Sequence, residues 1–340
     1  MKWQIPYLYN VDYMRIVIPN YCTPDSFEEN VYETLKMMGH DVLTMGPISI
    51  HKKSSPFYRV YKDVKKKLLK TQTDQEKWLL LQITTFKPEL IISLTQGLSE
   101  EVLHIARRKG IKAVSWWGDT AANMSGKGLC HKEWDFIFIK DHYAAFKLRT
   151  LNLPAIQLYE AMNPMWHKPV SDQKNNQVVI AGSFYDYRHY LTTLLIERGV
   201  EVGLYGARLP IWADREIKKR HTGKFITRDE KSQIFGAALA VLNSTGMSEF
   251  ASINCRTFEI AGCGGLPIME YRPGIEECFE PEKEILLYKN LDELFSIIEI
   301  AKNDPVKMKE IRKAASKRAI EFHTYKHRLE IILKHVEELS

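Results

Sequence analysis

The fold is decided by residues 177–206, which read QVVIAGSFYDYRHYLTTLLIERGVEVGLYG. A run of β-branched and aliphatic residues ends at Ala181, and an amphipathic stretch over 187–198 then stops at Gly199. A second apolar run follows over 200–205. Short apolar runs that alternate with amphipathic stretches are typical of strand–helix–strand units in a parallel sheet. The segment therefore predicts an α/β domain that begins at this strand.

The same alternation fills the first half of the chain, so a second α/β domain is predicted there. Its strands are expected at 15–19, 41–45, 89–93, 112–116 and 136–139, with helices at 26–38 and 99–109. Later strands are predicted at 237–242 and 266–269, and a helical tract at 305–338 in which Thr324 is suited to begin a second helix.

Polar, irregular sequence between Trp166 and Gln177 has the composition of a linker and sets the domain boundary. We predict a Rossmann-like domain over 1–168, a second over 178–322, and a C-terminal helix over 323–340 that packs back toward the first domain. In this α/β arrangement the two parallel sheets are expected to face each other across a cleft, and 340 residues suit two such domains.

Composition limits the classes of protein that need to be considered. Hydrophobic residues make up 45% of the chain, which is enough for two cores. No uninterrupted apolar run reaches the roughly 18 residues of a membrane span, so stable membrane insertion is not expected. An odd number of cysteines without a Cys-x-x-Cys pair favours reduced thiols and hence a cytoplasmic protein; these are Cys22, Cys130, Cys255, Cys263 and Cys278.

The net charge of +6 is a small difference between 48 basic and 42 acidic residues, and it hardly distinguishes among partners. Much of the excess lies in the lysine-rich stretch 52–70. That stretch is interpreted either as a solvated helix face or as a surface for an anionic acceptor or a membrane.

A turn of small residues, Gly182-Ser183, follows the strand that ends at Ala181, and Arg188 lies in the first turn of the next helix. Ligands of open α/β sheets bind at the carboxyl ends of strands. Glycine allows close approach of the backbone, helix N-termini favour anions, and a guanidinium can bind two oxygens at once. The turn predicts a phosphate site or, alternatively, an ordinary turn with a surface arginine.

The richest stretch is 252–269, SINCRTFEIAGCGGLPIM. Asn254 or Ser252 is suited to cap a short helix, which Gly264-Gly265 would end before the next strand. Arg256 and Glu259 are three residues apart and share one helix face. The carboxylate suits vicinal ribose hydroxyls and the arginine suits a pyrophosphate; the alternative is a plain ion pair on the surface.

A third candidate is Trp116-Trp117-Gly118-Asp119, at the end of a strand in the first domain. Aromatic planes suit sugar rings, and Asp119 is suited to orient or deprotonate an acceptor hydroxyl. The alternative is two tryptophans that pack in the interior and an aspartate in a turn.

Several signatures are missing from the sequence. It has no Gly-x-Gly-x-x-Gly after the first strand of either half and no Walker motif, which argues against nicotinamide enzymes and P-loop enzymes. It has no Asp-x-Asp, the pair with which many sugar transferases hold a divalent ion. His323 and His327 are four residues apart but lack a zinc motif, so core or capping roles are expected. No metal ion and no cofactor is predicted.

Together these residues resemble the CgeB-like glycosyltransferases, which are related to the large retaining GT-B group. The resemblance covers nearly the whole chain, and its most specific part is the Asn-x-Arg-x-Phe-Glu segment with the glycines after it. It is carried by Val178-Val-Ile-Ala-Gly182-Ser, Arg188, Leu204-Tyr205-Gly206, Asn254-Cys-Arg256-Thr-Phe258-Glu259, Cys263-Gly264-Gly265 and His323-Thr-Tyr325-x-His327-Arg328.

The resemblance implies that the C-terminal domain binds a nucleotide-sugar and that the N-terminal domain presents the acceptor. It implies that Arg188 contacts the donor diphosphate, Glu259 the ribose, and Gly206 the surroundings of the base. The predicted catalytic residues are Arg188, Asp119 and Glu259, and the predicted donor-binding residues are Gly182, Ser183, Tyr205, Gly206, Asn254, Arg256, Thr257, Glu259 and Gly264.

The chain departs from the broader group at one position, because Ala251 stands where a second glutamate is usual, eight residues before Glu259. Glu249 lies ten residues before. The main hypothesis is metal-free transfer of a sugar to an acceptor hydroxyl, with retention of configuration. The alternatives are a nucleotide-sugar epimerase and a nucleotide-sugar-binding protein without catalysis. The acceptor is left open among a glycan, a protein, a lipid-linked molecule and a nucleic acid.

Overall fold

The computed structural model describes residues 13–47, 73–120, 123, 128–170, 175–249 and 251–339. The chain forms two compact units. The first unit comprises Met1–Leu158 and Tyr325–Ser340, and the second comprises Tyr159–Thr324. The sequence placed the end of the first domain at 168 and the start of the C-terminal segment at 323. The lysine-rich stretch 52–70 lies outside the described residues.

In its described part, the first unit contains a parallel sheet of six strands in the order β2-β1-β3-β4-β5-β6. The strands are β1 (Arg15–Ile18), β2 (Asp41–Thr44), β3 (Leu90–Leu94), β4 (Lys112–Trp117), β5 (Phe136–Ile139) and β6 (Ala155–Gln157). The helices are α1 (Phe27–Met37), α2 (Asp74–Thr85), α3 (Glu100–Arg108), α4 (His142–Arg149) and, from the C-terminus, α12 (Tyr325–Glu337).

The central strands of the first unit are almost wholly apolar because helices cover both faces of a parallel sheet. Every residue of β3, for example, is buried. The C-terminal helix α12 completes this core. The ring of Tyr325 lies 6.0 Å from the ring of Phe27 on α1 and 6.0 Å from that of Trp116 on β4.

The second unit contains a parallel sheet in the order β11-β10-β9-β7-β8. The strands are β7 (Val178–Ala181), β8 (Val202–Tyr205), β9 (Ala240–Asn243), β10 (Pro267–Glu270) and β11 (Leu286–Tyr288). The helices are α5 (Asp186–Glu197), α6 (Arg215–Arg220), α7 (Arg228–Ala237), α8 (Cys255–Gly262), α9 (Ile275–Cys278), α10 (Leu291–Asn303) and α11 (Pro305–Phe322).

Each sheet has a point at which the chain reverses its direction across the sheet. In the first unit this point lies between β1 and β3, and in the second between β7 and β9. The two connections that leave such a point diverge, which opens a crevice at the carboxyl ends of the strands. In the first unit Asn20 spans the gap, since its side chain donates to Leu94 O at 2.8 Å and accepts from Leu94 N at 3.1 Å.

The two parallel sheets confirm the predicted α/β class with two Rossmann-like units. One predicted strand began too early, because Ala237 is the last residue of α7 and β9 begins only at Ala240. The predicted helical tract 305–338 is divided at His323 and Thr324. The short edge strands β6 and β11 were not predicted, because three residues are too few to show a period.

His323 lies in the core of the second unit, where its ring is 5.0 Å from that of Phe258 and 5.3 Å from that of Phe279. Its Nε2 is 2.8 Å from the carbonyl oxygen of Cys278. All five cysteines are free thiols. Among the described residues no helix is both long and apolar enough to cross a membrane.

His327 on α12 is expected to make the stability of the protein depend on pH. Burial, with the nearby Arg328 and Lys326, lowers the pKa of His327 from 6.5 to about 4. Between these values the unfolded chain binds a proton that the folded chain does not. The stability contributed by neutral His327 is therefore complete above pH 6.5 and is lost as the pH falls toward 4. We expect His327→Gln to lose less free energy of unfolding than the wild type between about pH 7 and about pH 4.5 in urea titrations. If the free energy of unfolding changed with pH equally in the wild type and in His327→Gln, this account would be contradicted.

Candidate functional site

Arg188 lies at the reversal point of the second sheet. It is the third residue of α5, and only 6% of its surface is exposed. Its Nε donates to Ser244 Oγ at 2.9 Å, its Nη1 donates to the carbonyl oxygen of Ser183, and its Nη2 donates to that of Ser244. Ser183 follows β7 and Ser244 follows β9. The guanidinium therefore joins the carboxyl ends of the two strands between which the crevice opens.

Beyond these hydrogen bonds, Arg188 lies near an aromatic ring, a second arginine and the carboxylate of Glu270. The ring of Tyr185 lies 4.7 Å from its guanidinium carbon, and the Tyr185 hydroxyl donates to Ser244 O at 2.8 Å. Burial lowers the pKa of Arg188, and the nearby Arg256 lowers it further, whereas Tyr185 and Glu270 oppose the shift. An anion between the two guanidinium groups would relieve their mutual repulsion.

Two glycines allow the ends of β7 and β8 to approach each other. Gly182 has a φ of +128°, and a Cβ placed there would lie 3.1 Å from Arg188 Nη1. Gly206 has a φ of +150°, and a Cβ placed there would collide with the carbonyl oxygen of Gly182. Gly182 N donates to Tyr205 O at 2.9 Å. The predicted donor residues at these two strand ends therefore lie together, and Tyr205 is half-buried beside them.

Helix α8 begins after Asn254, but the cap differs from the prediction. Asn254 holds the cap position, yet its side chain accepts from Asn243 Nδ2 at 2.9 Å and makes no cap bond to the helix. The same amide donates to Thr257 Oγ1 at 2.9 Å, which fixes Thr257 in the interior. The N–H of Cys255, which has no acceptor within the helix, donates instead to a carboxylate oxygen of Glu160 at 3.1 Å. The first N–H of the helix therefore contacts a carboxylate of the chain itself.

Glu259 lies at the centre of a charged cluster in the interior. Its Oε2 is 2.7 Å from Arg256 Nη1, and its Oε1 is 2.9 Å from Lys231 Nζ. The ring nitrogen Nε2 of His167 lies 3.9 Å from the same Oε1. The side chain of Glu259 is only 4% exposed, whereas that of Arg256 is 19% exposed. Arg256 is therefore the member of the pair that reaches the surface of the second unit.

Gly264 ends α8 as predicted from its sequence position. Its φ is +71°, its N–H donates to Ala261 O at 3.0 Å, and the next N–H, of Gly265, donates to Ile260 O at 2.9 Å. A Cβ on Gly264 would lie 3.1 Å from the ring of Pro169. The backbone conformation and hydrogen bonds of Gly264 are thus those of a residue that ends a helix.

Asp119 follows β4 in the first unit. Its Oδ1 accepts from Thr120 N at 2.7 Å, and its Oδ2 accepts from Asn123 Nδ2 at 2.8 Å. Trp116 and Trp117 are buried, with 0% and 5% of their surfaces exposed. The interpretation of these two rings as a platform for sugars is therefore wrong, because both belong to the core of the first unit.

The loop that precedes α8 contains the departure at Ala251. The carboxylate of Glu249 accepts from the hydroxyl of Ser252. Arg272 holds the loop, because Nη1 donates to Ser252 O at 2.9 Å and Nη2 donates to Glu249 O. Burial raises the pKa of the Tyr185 phenol; Arg188 opposes this shift, and Glu249 adds to it.

Sequence reasoning missed four polar residues of this site: Glu160, Lys231, Asn243 and Ser244. Asn243 and Ser244 directly follow a strand, so the rule on strand ends could have found them. Lys231 lies at the same helical spacing as apolar Ile234 and Phe235, and a lysine on an apolar face is a signal of burial. Glu160 is far from α8 in sequence and carries no such signal.

Two Rossmann-like units with parallel sheets define the GT-B class, and solved structures of this class match nearly the whole chain. Sucrose-phosphate synthase from Thermosynechococcus elongatus is 14% identical, with a TM-score of 0.67 over 96% of this chain and 100% of that one. Anabaena HepE in complex with UDP-glucose is 13% identical, with a TM-score of 0.62 over 96% and 99%. The UDP-GlcNAc 2-epimerase of Neisseria meningitidis, bound to UDP-GlcNAc, is 9% identical, with a TM-score of 0.51 over 96% and 100%.

A family model described as glycosyl transferase-like matches residues 165–334, which is half of the chain, and this protein belongs to that family. No curated protein matches the sequence. The family match confirms the coarser part of the resemblance, and the relation to CgeB-like enzymes stays a prediction.

The buried pair of Lys231 and Glu259 is expected to matter for stability. Loss of one partner from a buried ion pair typically costs about 3–5 kcal/mol, and the lower end applies here because Glu259 keeps its ion pair with Arg256. We therefore expect Lys231→Met to lower the free energy of unfolding by about 3 kcal/mol in urea titrations. Lys219→Met is the matched control, since Lys219 pairs with Glu216 at 2.6 Å on the surface and its loss should change stability little. Equal effects of the two substitutions would contradict the assignment.

Proposed function

We propose that this protein transfers a glycosyl group from a nucleoside-diphosphate sugar to an acceptor hydroxyl, and that the second unit binds the donor. The observation that carries the proposal is the environment of Arg188. Its hydrogen bonds go to uncharged oxygens of Ser183 and Ser244, and no carboxylate in the described part of the chain lies within ion-pair distance of it. Glu270 favours the charged form of Arg188 from beyond ion-pair distance, and a diphosphate at the crevice would give this buried cation an anion in direct contact.

Arginine can bind the diphosphate while it keeps its present hydrogen bonds. A guanidinium has about five N–H donors, of which Ser183 and Ser244 accept from three. The remaining donors and the partly exposed Arg256 are proposed to contact the diphosphate oxygens. Membership of the glycosyl transferase-like family supports this proposal, as does the UDP-glucose bound to HepE, a protein of the same fold.

The other donor contacts are proposed from the resemblance and from the placement of the residues. Tyr205 and Gly206, at the end of β8, are proposed to lie near the base. Glu259 is proposed to accept hydrogen bonds from the ribose and to orient Arg256, with which it shares an ion pair. In the first unit, Asp119 is proposed to orient the acceptor hydroxyl or remove its proton.

The proposed mechanism uses arginine side chains in the place of a metal ion. Cleavage of the bond between the sugar and the diphosphate leaves negative charge on the diphosphate. Fixed cations and N–H groups that point toward this charge stabilise the transition state more than the ground state. Ser183 and Ser244 hold the guanidinium of Arg188 from two loops, so little reorganisation is needed when the charge develops.

Retention of configuration is also proposed, following the group that the sequence resembles. Because Ala251 replaces the usual upstream glutamate, we propose that Glu249 supplies the carboxylate of this loop. The contacts of Glu249 with Ser252 and Arg272, which hold it in the loop before α8, support this assignment. Retention is tested by the anomeric configuration of the product that forms from an α-linked donor, measured by NMR. A β-linked product would contradict retention.

An epimerase is the second candidate, because the UDP-GlcNAc 2-epimerase of Neisseria meningitidis has the same fold. Epimerisation needs no acceptor, whereas transfer requires one. Conversion of a nucleotide-sugar into its epimer in the absence of any acceptor would therefore favour this candidate over glycosyl transfer.

Donor binding is expected to depend on Arg256. We expect at least one UDP-, GDP- or deoxythymidine-linked sugar to bind, and Arg256→Ala to weaken that binding about tenfold or more, because a charge-assisted contact is lost. Glu259→Ala should also weaken it. Arg215→Ala, at an exposed arginine on α6, is the control and should leave the affinity unchanged. Wild-type affinity of both the Arg256 and the Glu259 variants in calorimetry would refute the proposed site.

The metal-free mechanism predicts that turnover does not depend on a divalent ion. Initial rates of transfer or of donor hydrolysis should be the same in excess EDTA as in buffer with magnesium, because the leaving diphosphate is stabilised by side chains. Activity that disappears in EDTA and returns with magnesium or manganese would overturn the mechanism but leave the donor site in place.

A further inference from the structure

A cavity of about 330 Å³ opens in the second unit beside the proposed donor residues. Tyr187 of α5, Glu270 and Tyr271 at the end of β10, and Tyr288 and Lys289 at the end of β11 line it. Its volume lies at the lower end of the range for small-molecule sites, which suits a ligand of one ring. The cavity lies at the carboxyl ends of β10 and β11, whereas the proposed diphosphate site lies between β7 and β9.

The carboxylate of Glu270 supplies hydrogen-bond acceptors in the cavity. Its Oε1 accepts from Thr245 N at 3.0 Å and from the Thr245 hydroxyl, and Arg272 Nε lies 3.6 Å from it. Its Oε2 accepts from the Tyr288 hydroxyl at 3.4 Å, which is a long hydrogen bond. Because each carboxylate oxygen can accept about two hydrogen bonds, Oε2 retains the capacity to accept from a ligand hydroxyl.

Tyrosine rings form much of the wall. Tyr187 and Tyr271 are 38% and 42% exposed, whereas Tyr288 is buried. Burial raises the pKa of the Tyr187 and Tyr288 phenols, so both are neutral near pH 7. Such rings offer an apolar face together with a hydroxyl that donates and accepts. This combination suits a ligand with C–H groups on its faces and hydroxyl groups at its edge.

The charges around the cavity select against ionic ligands. Arg272 already lies beside Glu270, and the ammonium of Lys289 lies 5.1 Å from the centre of the Tyr271 ring. A cationic ligand would meet both of these charges, and an anionic ligand would meet the Glu270 carboxylate. A neutral molecule that carries several hydroxyl groups is compatible with all three charged side chains, Glu270, Arg272 and Lys289.

We propose that this cavity is a binding subsite for one neutral sugar ring, which is a glycosyl residue of the acceptor. The assignment of the ring to the acceptor rests on the proposed function, whereas the binding of a neutral sugar does not. Thr245, which donates to Glu270, directly follows Ser244, which holds Arg188. A ligand in this subsite is thereby connected to the arginine of the proposed diphosphate site through two adjacent residues.

The test measures binding of methyl glycosides of glucose, galactose, mannose and N-acetylglucosamine to the full chain by saturation-transfer NMR. We expect at least one of them to bind, and Tyr271→Ala to weaken that binding about five- to tenfold through loss of the ring contact. Tyr271→Phe keeps the ring and should retain most of the affinity. Tyr190→Ala is the control, because Tyr190 is an exposed tyrosine on the same helix as Tyr187 but does not line the cavity.

Absence of saturation transfer to every glycoside would overturn the proposal, as would wild-type affinity in Tyr271→Ala. Binding of tetramethylammonium that competes with the sugar would also overturn it, since it would identify a cation site. The donor assay separates this proposal from the proposed function: Tyr271→Ala should bind nucleotide-sugars as the wild type does. A wild type that binds glycosides but no nucleotide-sugar would refute the donor site and leave the sugar subsite standing.

Discussion

The guanidinium of Arg188 places a positive charge at the point where the second sheet reverses direction, largely out of contact with water. The protein tolerates this charge because three oxygens of Ser183 and Ser244 accept its hydrogen bonds. Those oxygens belong to the loops after β7 and β9, so the charge and the geometry of the crevice depend on each other. The corresponding gap in the first unit is spanned by the neutral amide of Asn20. A charged side chain thus occupies this point in the second unit, and a neutral one occupies it in the first.

A second set of charges lies in the interior of the same unit, where Glu259 contacts Lys231 and Arg256. The Glu259 carboxylate is buried and Arg256 is partly exposed, so the buried carboxylate positions the guanidinium of Arg256. Contacts within the chain hold both arginines, Arg188 through Ser183 and Ser244 and Arg256 through Glu259. Preorganised charge of this kind lowers the reorganisation needed when a leaving group becomes negative.

The strands and the class of fold could be predicted because apolar runs of four or five residues, interrupted by polar loops, leave few alternatives to a parallel sheet. The βα turn at Gly182-Ser183 and the glycine end of α8 were equally readable, since glycine supplies a backbone conformation that other residues avoid. Edge strands and helices with weak periodicity were not. The exact start of a strand was harder to predict, as Ala237 shows, because alanine before an apolar run fits a helix end and a strand start equally well.

The site was predictable only in part, because its contacts join residues that are distant in sequence. Arg188 and Arg256 could be named because each lies in the first turn of a predicted helix, but nothing in the sequence connects Arg188 to Ser244, or Glu160 to the N–H of Cys255. The two tryptophans at 116 and 117 show the opposite error, since aromatic residues at a strand end serve a core as readily as a ligand. Burial decides between these meanings, and burial depends on which helix packs over the strand.

The most direct test of the account is a crystal structure of the protein with UDP. We expect diphosphate oxygens within about 3 Å of the guanidinium groups of Arg188 and Arg256, at the carboxyl ends of β7 and β9. Arg188 should keep its hydrogen bonds to Ser183 and Ser244. A diphosphate bound elsewhere, with neither arginine in contact, would contradict the claim that the buried guanidinium defines the donor site.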